Sequence, residues 1–287
     1  MNISAYLTKM QTVVDQLLER QLPDKKTRPK ILHEAMHYCV FNGGKRIRPI
    51  LCIATAELFQ IPLDEIAKPA TALELFHCST LIHDDLPCMD DDDLRRGKPT
   101  CHIKFGEANA VLTGDALMIQ AFQVLAETNH PQLSLELAKA AGSKGVIAGQ
   151  VEDLAAENTK PSADLIEFIH LNKTAILIQA AIRMGAILGN ATPPELNCLS
   201  QFGEKIGLAF QIEDDILDET SSDEILGKPV GSDLQQNKLT YPAVHGMQFA
   251  QNKVHELTTA AIQDLQSINR DTSTLSALAK HLMQRKK

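Results

Sequence analysis

Apolar side chains recur every three or four residues along most of the chain. Over Leu63–Ile82 they fall at Ile66, Ala70, Leu73 and Phe76, with Leu81 and Ile82 closing the run. That spacing keeps one face of an α-helix apolar. Over Leu165–Leu188 the run Ile166, Ile169, Ile176, Ile178 and Ala181 has few polar interruptions, as in a helix enclosed by others. Leu199–Asp218 behaves alike. Ahead of it, Thr192-Pro193-Pro194-Glu195 offers Thr as N-cap, Pro at the first helical position and Glu at the third, a capping-box start. Sustained period-two stretches are absent, as are Asn-Gly and Asp-Gly hairpin signals. The charged, Pro- or Gly-bearing stretches 21–28, 94–100 and 223–233 read as loops. No repeat or low-complexity linker divides the chain. The pattern predicts one all-α domain over residues 1–287, with roughly ten or more helices.

Composition narrows this picture. Of the 287 residues, 44% are hydrophobic and 22% charged, as in a globular protein. Only 4% are aromatic and none is Trp, so aliphatic side chains must fill the core. A net charge of −8 argues against a nucleic-acid partner. Six cysteines lack C-x-x-C spacing and mostly lie in apolar segments, which predicts free buried thiols and a cytoplasmic protein. The first twenty residues carry no targeting pattern. The apolar run 174–182 is too short to span a bilayer.

The chemistry lies in two aspartate clusters 130 residues apart: Asp84-Asp85-Leu86-Pro87-Cys88-Met89-Asp90 and Asp214-Asp215-Ile216-Leu217-Asp218. Each follows apolar residues, where uncompensated negative charge costs several kcal/mol per ion. Sharing divalent cations makes such clusters tolerable, and Mg2+ is bound by one or two carboxylates plus substrate phosphates. On a helix Asp214 and Asp218 share a face, while Asp215 is rotated about 100° away. Asp84 and Asp90 do not share one on an ideal helix. Pro87 is expected to disrupt the ladder and let a bulge return Asp90 to the side of Asp84. At least two of Asp91, Asp92 and Asp93 are expected to face solvent. The EF-hand spacing is missing.

Basic residues cluster too. Gly43-Gly44-Lys45-Arg46-Ile47-Arg48-Pro49 places Lys45 and Arg48 three apart, able to face one anion. Arg95-Arg96-Gly97-Lys98 follows the first acidic cluster directly. Cations beside metal-binding carboxylates make sense if a polyanion lies between them; surface ion pairing is the alternative. Lys173-Thr174 and Gln211 interrupt apolar helices, where a snorkelling lysine and a satisfied core amide are the plain readings. His77, two turns before Asp84, could equally be a core histidine.

Together, Gly-Gly-Lys-Arg-Ile-Arg-Pro, Leu-Ile-His-Asp-Asp-Leu-Pro-Cys-Met-Asp-Asp-Asp-Asp-Leu-Arg-Arg-Gly-Lys-Pro-Thr, Lys-Thr and Gln-Ile-Glu-Asp-Asp-Ile-Leu-Asp resemble the trans-prenyl diphosphate synthases, over about residues 43–238. The resemblance implies an antiparallel helical bundle of isoprenoid synthase type around a central cavity, usually homodimeric. It implies Mg2+-dependent condensation of isopentenyl diphosphate with an allylic diphosphate, with Mn2+ as an alternative metal. It assigns Lys45, Arg48, His77 and Arg96 to isopentenyl diphosphate. Asp84, Asp90 and Asp214 would hold three Mg2+ ions against the allylic diphosphate, with Arg95, Lys173, Lys228 and Lys238 completing that cradle. Thr174 and Gln211 would offer oxygen dipoles near the allylic carbon. Product length would be set on the helix before Asp84. Ser79, where many bacterial farnesyl synthases carry an aromatic, leaves room beside Thr80, and Phe76 could form a deeper floor. Farnesyl diphosphate is the expected product and geranylgeranyl diphosphate the competitor. A class I terpene cyclase and a non-catalytic prenyl synthase subunit are the remaining alternatives; the complete aspartate motifs and the Lys45/Arg48 site speak against both.

Overall fold

A computed structural model describes residues 2–156, 162–220 and 239–284. The helices run α1 (Ile3–Gln21), α2 (Lys30–Val40), α3 (Ile47–Leu58), α4 (Leu63–Asp84), α5 (Cys101–Phe105), α6 (Glu107–Ala126), α7 (Pro131–Ala141), α8 (Val146–Ala156), α9 (Ala163–Ile169), α10 (Ile176–Leu188), α11 (Pro193–Thr220), α12 (Tyr241–His245), α13 (Met247–Leu265) and α14 (Ser273–Leu282). The all-helical expectation holds. α4, α10 and α11 occupy the three stretches of helical periodicity.

Local chemistry sets several boundaries. α11 opens with the expected capping box. The Thr192 backbone N–H donates to Glu195 Oε2 at 2.8 Å, and the Glu195 N–H reaches Thr192 Oγ1 at 3.5 Å. Arg270 adds a bond to the other Glu195 oxygen at 2.7 Å, holding that carboxyl down at about 2. α1 is capped by Asn2, whose side chain accepts from the Ala5 N–H.

The main core joins residues of α1–α4, α6, α7, α10, α11 and α14 around Leu73, Phe76, Ile178, Ile182 and Phe202. A smaller core joins Ile166, Leu208, Ile212, Ile216, Tyr241 and Val254. As composition requires, aliphatic side chains dominate both. α10 packs on α3, α7 and α11, and α11 on α13.

Helix 163–188 departs from its periodicity. Between α9 and α10, residues His170–Ala175 form a π turn, a one-residue widening common at functional sites. The whole element, Ala163–Leu188, is 26 residues long with mean hydropathy 1.3, enough by length and composition to cross a membrane. Its most apolar window is 56% buried inside the protein, which marks it as a core helix of this bundle.

Two local expectations need correction. The first acidic motif does not continue along a helix: α4 ends at Asp84, Asp85 is its C-cap, and residues 85–90 form successive turns. Pro87 therefore lies beyond the helix rather than bulging within it. Residues 94–100, expected as a plain loop, contain a two-stranded hairpin pairing Leu94 with Pro99 and Arg95 with Lys98. Its turn residues Arg96 and Gly97 have φ of 55° and 74°, the left-handed pair of a type I′ turn. The loop at 223–233 lies outside the described residues. No disulfide forms. Cys52, Cys78 and Cys101 are buried, Cys39 and Cys198 half-buried, and Cys88 exposed.

Candidate active site

The first acidic motif closes on itself. Asp90 donates its backbone N–H to the carbonyl of Asp84 at 2.9 Å, and Met89 and Asp91 both donate to Leu86. Turns beyond the helix, rather than a bulge within it, bring the backbone of Asp90 back to Asp84. Asp91 and Asp93 are exposed and Asp92 half-buried. Asp85 turns inward. Burial pushes its carboxyl up to about 6, against the opposing pull of Arg95, whose Nε donates to it at 2.6 Å. Arg95 also reaches Asp92 at 3.5 Å.

Lys173 projects from the π turn toward this motif. Its ammonium lies 3.8 Å from Asp84 and 2.6 Å from Asp153 on α8. Burial alone would favour the neutral amine. The fields of Asp84, Asp153 and Asp90 outweigh it and hold the lysine charged, its pKa raised. Gln150, one turn before Asp153, donates to Asp84 Oδ1 at 2.5 Å. α8 approaches this closely because of Gly149, where a Cβ would stand 2.2 Å from the Lys173 nitrogen. On the other side, a Cβ on Gly207 of α11 would stand 2.5 Å from Ala175 Cα. The wider π turn is flanked by glycine on both faces.

The next residue carries the contact to the second motif. Thr174 donates its hydroxyl to Gln211 Oε1 at 2.7 Å. Gln211 lies one turn before Asp214 and Asp215 on α11. Asp214 is half-buried, whereas Asp215 and Asp218 are 4% and 3% exposed. Asp84, Lys173, Thr174 and Gln211 thus form one continuous wall joining the two motifs.

The cationic side is built by α3, α4 and the hairpin. Arg48 lies 3.1 Å from His77 Nε2, and its Nε is buried with no hydrogen-bond partner among the described residues. Burial lowers the pKa of Arg48; Glu74 and Asp214 act in the opposite sense, so the second motif is within electrostatic reach. Burial, then Arg48 and Arg96, hold His77 well below the usual imidazole range. Arg96 donates to the Gly43 carbonyl, joining the hairpin turn to the glycine loop before α3. Lys45 is exposed beside it. Arg46 does not belong to the anion-facing group. It is 3% exposed, with bonds to Glu74 at 2.8 Å, Asp15 at 2.9 Å and the Val40 carbonyl at 2.7 Å. It locks α1, α2, α3 and α4 together.

Phe76, Ser79 and Thr80 lie on α4 before Asp84. Phe76 and Ser79 are fully buried and Thr80 half-buried. Ser79 and Thr80 turn their hydroxyls onto their own helix, to Phe76 O at 2.7 Å and His77 O at 2.8 Å. Lys228 and Lys238 lie outside the described residues. Sequence reasoning missed Gln150 and Asp153. Their three-residue spacing on a helix was the available signal, hidden because polar pairs at that spacing usually face solvent. It also missed His170, whose Nε2 lies 3.2 Å from Asp215. Among the described residues, no three carboxylates, imidazoles or thiols converge in a metal-holding group.

Residues 29–278 match the family described as Polyprenyl synthetase. The chain is 46% identical over 266 residues to the farnesyl diphosphate synthase of Escherichia coli (strain K12), covering 88% of this chain and 89% of that protein. It is 42% identical over 293 residues to the chloroplastic geranylgeranyl pyrophosphate synthase of Capsicum annuum, covering 99% and 79%. The fold matches the geranyltransferase of Helicobacter pylori, solved in complex with magnesium and isoprenyl diphosphate, with a TM-score of 0.85 at 32% identity, covering 99% of this chain and 97% of that one.

Proposed function

Because this chain belongs to the polyprenyl synthetase family and is a prenyltransferase that elongates prenyl diphosphates, we propose that it condenses isopentenyl diphosphate head-to-tail with dimethylallyl or geranyl diphosphate, releasing diphosphate and giving farnesyl diphosphate. The observation that carries this reading is the wall Asp84–Lys173–Thr174–Gln211. It sets an acidic motif, a half-buried cation and two oxygen dipoles in sequence, and the field of Asp214 reaches Arg48.

Asp84, Asp90 and Asp214 would hold Mg2+, three ions in this reading, with Mn2+ as the alternative. Their carboxylate oxygens are hard donors, and Mg2+ is bound by one or two carboxylates plus substrate phosphates. When bound, the metal neutralises the diphosphate and favours its departure. Lys173, kept charged by three aspartates, and Arg95, tethered by Asp85, receive the allylic diphosphate; Lys228 and Lys238 are assigned there too. Lys45, Arg48, His77 and Arg96 bind isopentenyl diphosphate, and the unpartnered Arg48 Nε is a donor ready for one of its oxygens. Thr174 and Gln211 present oxygen atoms where positive charge develops on the allylic carbon. The isopentenyl double bond attacks there, held close and away from water. The proton is lost to the released diphosphate, so no protein base is required.

A geranylgeranyl product is the second reading, favoured by the small Ser79 side chain and by the Capsicum annuum relative. A homodimer is also proposed. Val111, Leu112 and Ile119 leave α6 with an apolar outer face 41%, 56% and 66% exposed, of the kind covered by a second subunit. A cytoplasmic setting suits the free thiols.

The test is chromatography of products from radiolabelled isopentenyl diphosphate with dimethylallyl diphosphate, with and without Mg2+. A Mg2+-dependent fifteen-carbon product is expected. A twenty-carbon product transfers the assignment to the second reading, and unconsumed isopentenyl diphosphate overturns condensation altogether.

A further inference from the structure

Asp215 adjoins Asp214, yet both of its oxygens are engaged inside the protein. Oδ1 accepts from the Gln211 side-chain amide at 2.9 Å, and Oδ2 accepts from the Tyr241 backbone N–H at 2.7 Å. His170 Nε2 lies 3.2 Å from Oδ2, and the His170 ring stacks on Tyr241. On its far side, the Gln211 amide oxygen accepts the Thr174 hydroxyl at 2.7 Å.

We propose that Asp215 is a positioning residue, whose two accepting oxygens dictate which end of the Gln211 amide faces Thr174 and the reacting allylic carbon. The inference rests on the reading above that Thr174 and Gln211 line that carbon. Both Asp215 oxygens act as acceptors of N–H bonds. The end of Gln211 that meets Asp215 must therefore be its NH2 group, which turns the carbonyl oxygen toward Thr174. Thr174 commits its single hydroxyl proton to that carbonyl. What remains at the Thr174–Gln211 pair is oxygen lone pairs rather than N–H groups, the polarity that stabilises positive charge developing on carbon. The Tyr241 N–H and His170 in turn hold the carboxylate in place.

Asp215→Asn separates this role from simple anchoring. Asn can still accept the Tyr241 N–H through its oxygen. Its NH2 then faces Gln211, which must flip to present its carbonyl, and the amide dipole toward Thr174 reverses. The double variant Asp215→Asn/Gln211→Glu keeps total charge unchanged. There a Glu carboxylate accepts from both the Asn amide and Thr174, restoring an acceptor on the substrate side.

The experiment is steady-state kinetics of the Mg2+-loaded full chain with dimethylallyl and isopentenyl diphosphates, alongside side-chain amide NMR of Gln211 in the substrate-free protein. For Asp215→Asn, kcat is expected to fall on the order of a hundredfold, with both KM values within about threefold of wild type. The double variant should recover at least about tenfold of that loss. The Gln211 amide resonances should shift in Asp215→Asn. Wild-type kcat in the single variant, no recovery in the double variant, or unmoved resonances would each overturn the proposal. A wild-type chain that leaves isopentenyl diphosphate unconsumed would instead sink the reading of function, with the amide resonances still deciding the orientation.

Discussion

The backbone N–H of Asp90 bonds the carbonyl of Asp84 at 2.9 Å, spanning six residues. This bond closes a turn that leaves Asp91 and Asp93 exposed, and it makes the two aspartates unequal to those neighbours. Asp84→Ala is expected to lower kcat at least about a hundredfold while the far-UV spectrum and melting temperature hold, because removing one carboxylate also relieves repulsion. Asp93→Ala, at an exposed position, should keep near-normal turnover. Equal effects from the two substitutions would remove the distinction.

The approach of α8 to the π turn depends on Gly149. A Cβ there would collide with the Lys173 nitrogen at 2.2 Å and its Cα at 2.6 Å, backbone atoms that cannot swing aside. Gly149→Ala should cost about 1–3 kcal/mol in urea unfolding and lower kcat as Lys173 shifts from Asp84. An unchanged midpoint with full activity would contradict the packing.

Burial and the neighbouring Arg48 favour neutral His77 in the folded protein. The folded pKa lies below the unfolded value of 6.5, so the unfolded chain binds more protons between the two. The His77 contribution is complete above 6.5 and is lost as pH falls toward the folded value. In NMR titrations the His77 ring resonances should stay at their neutral positions while exposed histidines titrate. A midpoint near that of a free imidazole would show that the ring is not held against Arg48.

Ser79 is fully buried on α4, its small side chain turned back onto the helix. Ser79→Tyr adds a large ring along the path proposed for the growing chain, and the product should shorten by one isoprene unit relative to wild type. An unchanged product distribution would mean that the chain extends elsewhere.

Much of this arrangement is legible in the residues themselves. The three- and four-residue period locates α4, α10 and α11, and the Thr192/Glu195 capping box marks where α11 begins, because both signals are local. The π turn was not legible, since one inserted residue leaves the apolar pattern nearly unchanged and only the facing glycines of α8 and α11 reveal the extra width. Arg46 stood outside the Lys45/Arg48 pair in the sequence, but its role as an internal clamp was not legible there. Its inward turn comes from a left-handed backbone, φ 54°, and from buried partners on α1 and α4. The hairpin escaped notice because its turn uses Arg96-Gly97 in place of the usual Asn-Gly. Helix rotation set Asp215 apart from Asp214, but its partner Tyr241, distant in sequence, was not legible.

The hairpin and the glycine loop are interlocked. A methyl group on Gly44 would stand 2.7 Å from the Arg96 guanidinium, and Arg96 itself bonds Gly43. The bare glycine at 44 is what leaves room for that guanidinium. A side chain at residue 44 would both displace the residue 96 guanidinium, more than fifty residues along the chain, and sit at a φ of 128° that favours glycine, so glycine should persist at this position across related genes.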